Sequence, residues 1–303
     1  MRYITDENDN GKRLDLRLSE VLENQSRSKI QKQIKSGYIT VNGNTVKPSY
    51  ILKEDDEIDI SDVISEPIKI EPQNIPLDII YENEDMLVVN KQSGMLAHPT
   101  SNEISSTLVN GLLYKYKGNL SDINGEFRRG IVHRLDRNTS GLLMIAKNNK
   151  THEYLAEKIK NREIEKRYRT IVKGVWEKDE EILDFPIGRN PKQPHKMMVT
   201  PDGKECKTVV RVVKRYKEAT ALDITLITGR THQIRVHTSY TGHPVYNDTL
   251  YGAGKGKVIT EEQVLQSYFL RFTKPFSDEI ITLEIEPDEK YKKVINYFEG
   301  REK

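Results

Sequence analysis

The sequence predicts an α+β protein with two domains. The chain has 303 residues, which is more than a single small module needs. Apolar residues recur at helical spacing in some segments and alternate in others, so both helices and strands are expected. These elements do not follow one another as repeated β-α-β units, which favours a mixed or antiparallel sheet over a doubly wound parallel one.

Composition limits the class of protein. Hydrophobic residues make up 36% of the chain and charged residues 31%, which suits a packed core beneath a highly charged surface. A single cysteine, Cys206, excludes an internal disulfide and a thiolate-rich metal site. No apolar run could span a bilayer, and the first residues lack the apolar segment of a signal peptide. We therefore expect a cytoplasmic protein that does not enter a membrane.

The net charge of +2 hides two oppositely charged segments. Residues 12–47 contain eight basic and three acidic side chains, whereas residues 54–66 contain seven acidic and no basic ones. Basic patches of this kind are typical of proteins that bind polyanions.

The first domain is predicted to consist of two helices and a short hairpin sheet. Residues 13–25 carry Leu14 and Leu18 at helical spacing, and Ser26 or Ser28 can cap a second helix. In that second helix one face carries Ile30 and Ile34, and the opposite face carries three lysines: Lys29, Lys32 and Lys35.

Strands are predicted after these helices. Tyr38–Val41 alternates, Asn42-Gly43 is a strong signal for a two-residue hairpin, a return strand would contain Val46, and a third strand covers Glu57–Ile60. Two helices, the hairpin and the basic face together resemble an S4 RNA-binding domain. The residues that carry the resemblance are Ser26-Arg27-Ser28-Lys29-Ile30-Gln31 and Val41-Asn42-Gly43. The alternative is an ordinary helix with a solvated charged face.

The predicted boundaries follow from composition. Residues 1–66 form the S4-like domain, residues 67–76 form a linker that contains three prolines, and residues 77–303 form the second domain. The second domain is predicted to have strands and helices in alternation with loops. They are a buried strand at Asp85–Lys91, a constrained loop at Gly94–Pro99, a helix over 151–163, strands at Arg167–Lys173 and Leu222–Leu226, and a helix capped by Thr231 and ended by Gly242.

The run from Gly130 to Leu143 contains the strongest functional signal. It sets Asp136 between two arginines, Arg134 and Arg137, in a turn-rich loop before an apolar strand. Nearby positive charge favours the ionised carboxylate, which could then act as a nucleophile or base. By spacing alone, an Asx turn or a helix cap is an equally good interpretation.

The same run resembles, without gaps, the catalytic motif of the RluA/RluD-type pseudouridine synthases, which isomerise uridine in RNA. The resemblance implies a catalytic domain with a mixed, largely antiparallel sheet flanked by helices and loops, and it assigns catalysis to Asp136. It also assigns to Arg134 the extrusion of the target nucleotide, because a stacked uridine must leave its helix before its C1′ and C5 can be reached.

Two further motifs resemble those of this family. Glu165-Lys166-Arg167-Tyr168-Arg169 implies that Tyr168 packs against the target base and can transfer the C5 proton. Gly229 to His237 implies that Arg235 forms an ion pair with the catalytic aspartate, which keeps it ionised and oriented. Without the resemblance, Tyr168 would be a core tyrosine, and Arg235 a surface arginine or a phosphate contact.

The resemblance also implies the partners. The substrate is expected to be RNA, most simply large-subunit ribosomal RNA, and no cofactor or metal is expected because the base never leaves the enzyme. Seven histidines are present, but their spacing does not suit a metal site. We expect a monomer that contacts phosphates through nine basic residues: Arg27, Lys29, Lys32, Lys35, Arg128, Arg129, Arg162, Arg167 and Arg230.

Four positions depart from the family pattern, which usually has Pro, Gly, His and His there: Gln92, Asn247, Gln266 and Lys274. They affect the expected shape of loops and the choice of substrate rather than the reaction. Three alternatives remain open from the residues alone. They are a non-catalytic RNA-binding factor, a metal-dependent hydrolase that uses the histidines, and a glycosidase, which would need a second carboxylate beside Asp136.

Overall fold

The computed structural model describes residues 1–22, 27–61, 69–252, 254 and 256–300. The chain divides into two compact units, Met1–Ile68 and Lys69–Lys303. Both units contain helices and strands, as the sequence predicts. None of the helices in the described segments has the length and apolar character needed to cross a bilayer.

The first unit packs two helices on a three-stranded antiparallel sheet in which β3 is central. Helical spacing places Leu14 and Leu18 of the first helix, and Ile30 and Ile34 of the second, in one buried cluster. The elements are β1 (Arg2–Ile4), α1 (Leu14–Val21), α2 (Arg27–Lys35), β2 (Ile39–Val41) and β3 (Glu57–Ile60).

The predicted hairpin is only partly present. Asn42 and Gly43 form a turn with positive φ at both residues, and Val41 and Asn44 exchange backbone hydrogen bonds of 2.9 Å. The return strand predicted at Val46 is wrong, because β2 pairs with β3 instead and the intervening chain crosses to α1. The predicted cap at Ser26 lies outside the described residues, and Ser28 lies inside α2 rather than before it.

The second unit is built on a nine-stranded sheet. Eight strands follow the order β4-β5-β6-β13-β7-β12-β11-β8, and β14 pairs with β13. The strands of the large sheet are β4 (Ile79–Glu82), β5 (Met86–Lys91), β6 (Ser140–Ala146), β7 (Glu165–Lys173), β8 (Glu180–Asp184), β11 (Lys207–Arg215), β12 (Ala219–Leu226), β13 (Leu265–Thr273) and β14 (Ile280–Glu284), and a separate hairpin is formed by β9 (Ile187–Arg189) and β10 (Met197–Val199).

Helices cover both faces of this sheet. On β6 the alternation sends Leu143 and Ile145 into one cluster and Leu142 and Met144 into another, so the strand is buried throughout. The helices are α3 (Leu108–Tyr116), α4 (Asn149–Lys160), α5 (Gln233–Tyr240) and α6 (Glu289–Glu299), with a short 3₁₀ turn at Glu126–Arg128.

The segment predicted as a linker belongs in its described part to the second unit. Ile70 is buried in the core with α3, and the side-chain amide of Asn110 donates to the carbonyl of Glu71 at 2.8 Å. Residues 69–76 therefore pack as an irregular strap beside α3 rather than as a free connection.

At the centre of the sheet, the backbones of β6 and β13 approach each other closely. Within the described sheet, β6 and β13 form its parallel pair, and every other pair is antiparallel. Gly141 lies in that pair with φ of +114°, and a Cβ there would lie 2.1 Å from the carbonyl oxygen of Ser267. Only glycine fits this position, which follows the Asp136 loop directly.

Replacing Gly141 by alanine should therefore destabilise the second unit. We expect Gly141→Ala to lower the free energy of unfolding by at least about 3 kcal/mol, because steric overlap adds to an unfavourable φ. Gly118→Ala is the matched control, since Gly118 also has a positive φ but has no atom within 4 Å of its Cβ position. It should cost about 1–2 kcal/mol. Urea unfolding measures both, and equal losses would contradict the steric explanation.

Candidate active site

Asp136 lies in the loop that enters β6 and lines a groove of the second unit. Its side chain keeps 17% of its surface exposed, so it is screened from bulk water yet reachable from the groove. The groove has a volume of about 280 Å³, near the lower end of the roughly 300–1,000 Å³ typical of ligand sites.

Two lysines hold this loop by its backbone. The ammonium group of Lys91 is almost fully buried and donates to the carbonyls of Gln92, Met95 and Arg137 at 2.8–2.9 Å. Lys290, from α6, donates to the carbonyl of Asn138 at 2.9 Å. Two consecutive carbonyls after Asp136 are thereby held by lysines of two elements that are far apart in sequence, β5 and α6. Burial lowers the pKa of Lys91 to about 7, with Lys290 adding to that effect and Asp136 opposing it.

Arg235 connects Asp136 to a second carboxylate. Its Nη1 donates to Asp136 Oδ2 at 3.1 Å, and its Nε and Nη2 donate to the two oxygens of Asp248 at 2.7 and 3.0 Å. Asp248 is fully buried and also accepts the backbone N–H groups of Leu250 and Tyr251. This bidentate pair fixes the guanidinium plane, so Arg235 presents its remaining edge to Asp136 in one orientation.

The neighbours of Asp136 in sequence do not pair with it. Arg137 forms a two-pronged ion pair with Glu103, at 3.0 and 2.6 Å. Arg134 is exposed at the groove and has no hydrogen-bond or ion-pair partner among the described residues. The cation that pairs directly with Asp136 is therefore Arg235 of α5.

The entry to α5 is set by His232. The predicted cap at Thr231 is wrong: His232 takes the position before the helix with φ of +57° and makes no capping bond through its side chain. Its Nδ1 lies 2.7 Å from the hydroxyl of Tyr251, and its Nε2 lies 3.9 Å from Asp136 Oδ2. The end predicted at Gly242 is confirmed, since Thr241 closes the helix and Gly242 follows with φ of +85°.

Tyr168 lies on β7 and also lines the groove. The predicted strand is confirmed, and its buried face carries Tyr168, Thr170 and Val172. Burial raises the pKa of Tyr168 to about 12, with the Ser267 hydroxyl opposing that shift, so the phenol is neutral at physiological pH. Tyr168, Arg235 and Asp136 are thus brought to one groove from three separate parts of the chain.

The charge of the groove favours an anionic ligand. Asp136 is the one carboxylate among its lining residues as described, whereas four cationic side chains line it: Arg134, Lys166, Arg230 and Arg235. Lys166 is about nine-tenths buried, burial lowers its pKa, and none of the described residues forms a hydrogen bond or ion pair with it. Its N–H donors are therefore available to a ligand.

The other predicted phosphate contacts differ in how much of their charge is already paired. In the second unit Arg128 is exposed, Arg129 pairs with Glu126, Arg162 lies 3.5 Å from Glu205, and Arg167 pairs with Glu165 at 2.6 Å. Arg230 donates to the carbonyl of Glu205 at 3.2 Å. Several of these arginines would have to exchange a carboxylate for a phosphate to bind RNA.

In the first unit, Arg27 is held by a buried carboxylate. Asp15 accepts from Arg27 at 2.9 Å, from Arg13 at 3.0 Å and from Gln31 at 2.6 Å. Lys29, Lys32 and Lys35 are all exposed on α2, as its helical spacing predicts. Within the described chain, Lys32 and Lys35 lack any ion-pair or hydrogen-bond partner of their side chains.

The departures from the family pattern have structural explanations at two positions. Asn247 has φ of +62°, a conformation that suits glycine, and its side chain bonds to Val258, Thr260 and Gly256. Gln266 bridges the carbonyl of Glu286 and the backbone N–H of Asp288. Gln92 only supplies a carbonyl to Lys91, and Lys274 pairs with Glu279 at 3.0 Å.

Sequence reasoning missed four residues of the site: Lys91, His232, Asp248 and Tyr251. His232 lies inside the Gly229–His237 motif and Asp248 lies beside Asn247, but no local pattern indicates that His232 approaches Asp136 or that Asp248 pairs with Arg235. A cluster of three His, Cys, Asp or Glu side chains able to hold a metal is absent from the described residues.

Three comparisons bear on this geometry. Residues 85–240 match the family model for RNA pseudouridylate synthase, and residues 12–58 match the model for the S4 domain. The chain is 42% identical to an uncharacterized RNA pseudouridine synthase of Aquifex aeolicus, over 95% of this chain and 94% of that protein.

It is also 37% identical to the ribosomal large subunit pseudouridine synthase D of Zymomonas mobilis, over 91% of this chain and 90% of that protein. Among solved structures, human RNA pseudouridylate synthase domain containing 1 superposes with a TM-score of 0.57 at 27% identity, covering 73% of this chain and 86% of that one.

The two carboxylates on Arg235 should contribute very differently to stability. Asp248→Ala leaves a buried guanidinium half-paired, and we expect a loss of about 3–5 kcal/mol in the free energy of unfolding. Asp136→Ala removes a partner that water can replace from the groove, and should cost about 1 kcal/mol or less. Urea unfolding of both variants tests this, and a loss for Asp136→Ala as large as that for Asp248→Ala would contradict the distinction.

Proposed function

The chain belongs to the RNA pseudouridylate synthase family, and from that premise we propose that it isomerises uridine in large-subunit ribosomal RNA, with Asp136 as the catalytic carboxylate. An RNA pseudouridine synthase is an isomerase, and the S4 domain of the first unit agrees with an RNA substrate. The choice of ribosomal RNA rests on the large-subunit synthase of Zymomonas mobilis.

The observation that carries the proposal is the ion pair of 3.1 Å between Asp136 and Arg235 in an otherwise cationic groove. An oriented and ionised carboxylate is required whether it attacks C1′ or takes the proton from C2′. Asp248 occupies Nε and Nη2 of Arg235 and so fixes the guanidinium from the buried side. The Nη1 donor that remains can then orient Asp136. A glycosidase with two carboxylates is not favoured by this lining.

The reaction exchanges one bond to the sugar for another. The bond between N1 and C1′ breaks, the uracil turns within the groove, and C5 forms a bond to C1′. The proton on C5 then leaves and N1 gains one, so that the atoms of uridine are conserved. The enzyme has to hold the detached base, orient it and move protons, and no external donor is consumed.

The groove residues suit these tasks. Tyr168 offers an aromatic face to the base and a neutral hydroxyl to a proton transfer at C5. Arg134, long and without a partner in the described structure, can fill the space that an extruded nucleotide leaves. We further propose that the enzyme acts in the cytoplasm as a monomer and without a cofactor.

Asp136→Asn should bind RNA and form no pseudouridine. The amide keeps the shape of the carboxylate but can neither attack C1′ nor accept a proton. Single-turnover reactions with large-subunit ribosomal RNA, followed by mapping of pseudouridine, measure this directly. Product from this variant above the background of an enzyme-free reaction would falsify the assignment of Asp136.

Tyr168→Phe should separate stacking from proton transfer. The phenyl ring retains the apolar contact with the base, so affinity for RNA should change little, whereas the single-turnover rate should fall by about 10²–10⁴-fold with the loss of the hydroxyl. Binding is measured by filter retention and the rate by product mapping. A normal rate in this variant would limit Tyr168 to stacking.

The basic face of α2 should contribute to affinity. Replacing Lys32 and Lys35 with serine should weaken RNA binding and reduce by about two the number of phosphates neutralised, which is read from the salt dependence of the dissociation constant. Turnover at saturating RNA should stay near that of the wild type. Lys178 and Lys217, which are exposed on the second unit, provide a control pair of equal charge. Equal salt dependence for both double variants would contradict a role for α2.

A further inference from the structure

His232 lies beside Asp136, and the proposed mechanism gives it no role. Its backbone has φ of +57°, an uncommon conformation for a residue with a side chain, and this directs the imidazole into the groove. The 3.9 Å between Nε2 and Asp136 Oδ2 exceeds a hydrogen-bond distance. Among the described residues, Nε2 therefore lacks a hydrogen-bond partner, while Nδ1 is engaged with Tyr251 at 2.7 Å.

The hydroxyl of Tyr251 determines which ring nitrogen carries the hydrogen. It accepts the backbone N–H of Met197, on β10, at 2.9 Å. A hydroxyl has one hydrogen to donate, and Nδ1 of His232 is the acceptor in reach. If Nδ1 carried the hydrogen instead, the Tyr251 O–H would have no acceptor among the described residues. The Met197 N–H, the Tyr251 hydroxyl and Nδ1 of His232 are all satisfied when the hydrogen of the imidazole is on Nε2.

We propose that Tyr251 holds His232 as the neutral tautomer with its hydrogen on Nε2, and that this N–H donates a hydrogen bond to an oxygen atom of the nucleoside bound at Asp136. His232 is then a catalytic residue that touches the substrate, and Tyr251 is a positioning residue that acts through it. The second half of the proposal rests on the proposed function, whereas the first half concerns the free protein alone.

The electrostatic surroundings favour the neutral ring. Burial lowers the pKa of His232, and Arg235 and Arg134 add to this, against the opposing effect of the carboxylates Asp136 and Asp248. Burial also raises the pKa of Tyr251, which keeps its hydroxyl protonated. A neutral donor can stabilise charge that develops on a nearby oxygen without giving up its proton.

Tyr251 has a second contact that reinforces this role. The guanidinium carbon of Arg235 lies 5.0 Å from the centre of the Tyr251 ring, and the backbone N–H of Tyr251 donates to Asp248 at 3.1 Å. The ring thus supports the arginine that orients Asp136, while the hydroxyl orients His232. Removing only the hydroxyl tests the second effect and leaves the first in place.

The tautomer can be measured directly in the free enzyme. Protein labelled with 15N-histidine gives long-range 1H–15N correlations whose pattern distinguishes hydrogen on Nε2 from hydrogen on Nδ1, and the signals of His232 are those missing from His232→Gln and from His232→Asn. We expect the neutral Nε2–H pattern at pH 7 in the wild type and a mixture of tautomers in Tyr251→Phe. A protonated ring or an Nδ1–H pattern in the wild type overturns the proposal.

Variants test whether the donor matters for catalysis. The amide nitrogen of glutamine can replace Nε2, and that of asparagine can replace only Nδ1. At saturating RNA, His232→Gln should therefore keep a single-turnover rate within about tenfold of the wild type, and His232→Asn should be at least about tenfold slower than His232→Gln. Asparagine tolerates a positive φ better than glutamine, so strain at the backbone would give the opposite order. An asparagine variant as fast as the glutamine variant overturns the catalytic role.

The matched pair Tyr251→Phe and Tyr116→Phe completes the test. Tyr116 donates to Glu82 at 2.9 Å and does not line the groove, so its loss should not alter the rate. Tyr251→Phe should slow single turnover about tenfold with little change in the concentration of RNA needed for half saturation. An unchanged rate and tautomer overturn the positioning role. Activity of Asp136→Asn would refute the proposed function but leave the tautomer result standing.

Discussion

The arrangement of the site depends on the two ion pairs that Arg235 forms. Its guanidinium group binds two carboxylates that differ in burial: Asp248 is fully buried, and Asp136 faces the groove. The buried partner determines the orientation of the cation, and the cation then determines the orientation of the exposed partner. This indirect support orients Asp136 and leaves part of its carboxylate open to the groove.

The loop that contains Asp136 is likewise held by residues outside the groove. Its backbone is held by Lys91 from β5 and Lys290 from α6, and its entry to β6 is fixed by the close approach of Gly141 to Ser267. None of these groups lines the groove. The Asp136 loop is therefore positioned by groups that lie outside the groove, and the groove itself stays open.

The fold class, the helices α1, α2, α4 and α5, and the strands that carry Tyr168 and the motif residues could be predicted because their periodicity and motifs are local. The errors arose wherever a distant segment decided the outcome. Val46 does not form a return strand because β3 supplies the partner of β2. Arg137 pairs with Glu103, thirty-four residues earlier in the chain. Residues 69–76 looked like a linker because their prolines prevent regular structure, although α3 provides them with a surface to pack on.

The same limit explains which site residues were missed. Asp248 carries no local signal, since its partner Arg235 is thirteen residues away in sequence. Tyr251 and His232 meet through a hydroxyl and a ring nitrogen nineteen residues apart. Polar contacts of this range leave no periodic signal, and only the folded chain reveals them.

The contact between Lys290 and the carbonyl of Asn138 has a consequence for biosynthesis. Asp136, Tyr168 and Arg235 all precede α6 in the chain, yet the loop of Asp136 receives one of its two ammonium contacts from that helix. A nascent chain that still lacks α6 already contains Asp136, Tyr168 and Arg235 but lacks the hydrogen bond from Lys290 to the loop. The two consecutive carbonyls of the Asp136 loop are therefore both held only after α6 has been synthesised and packed.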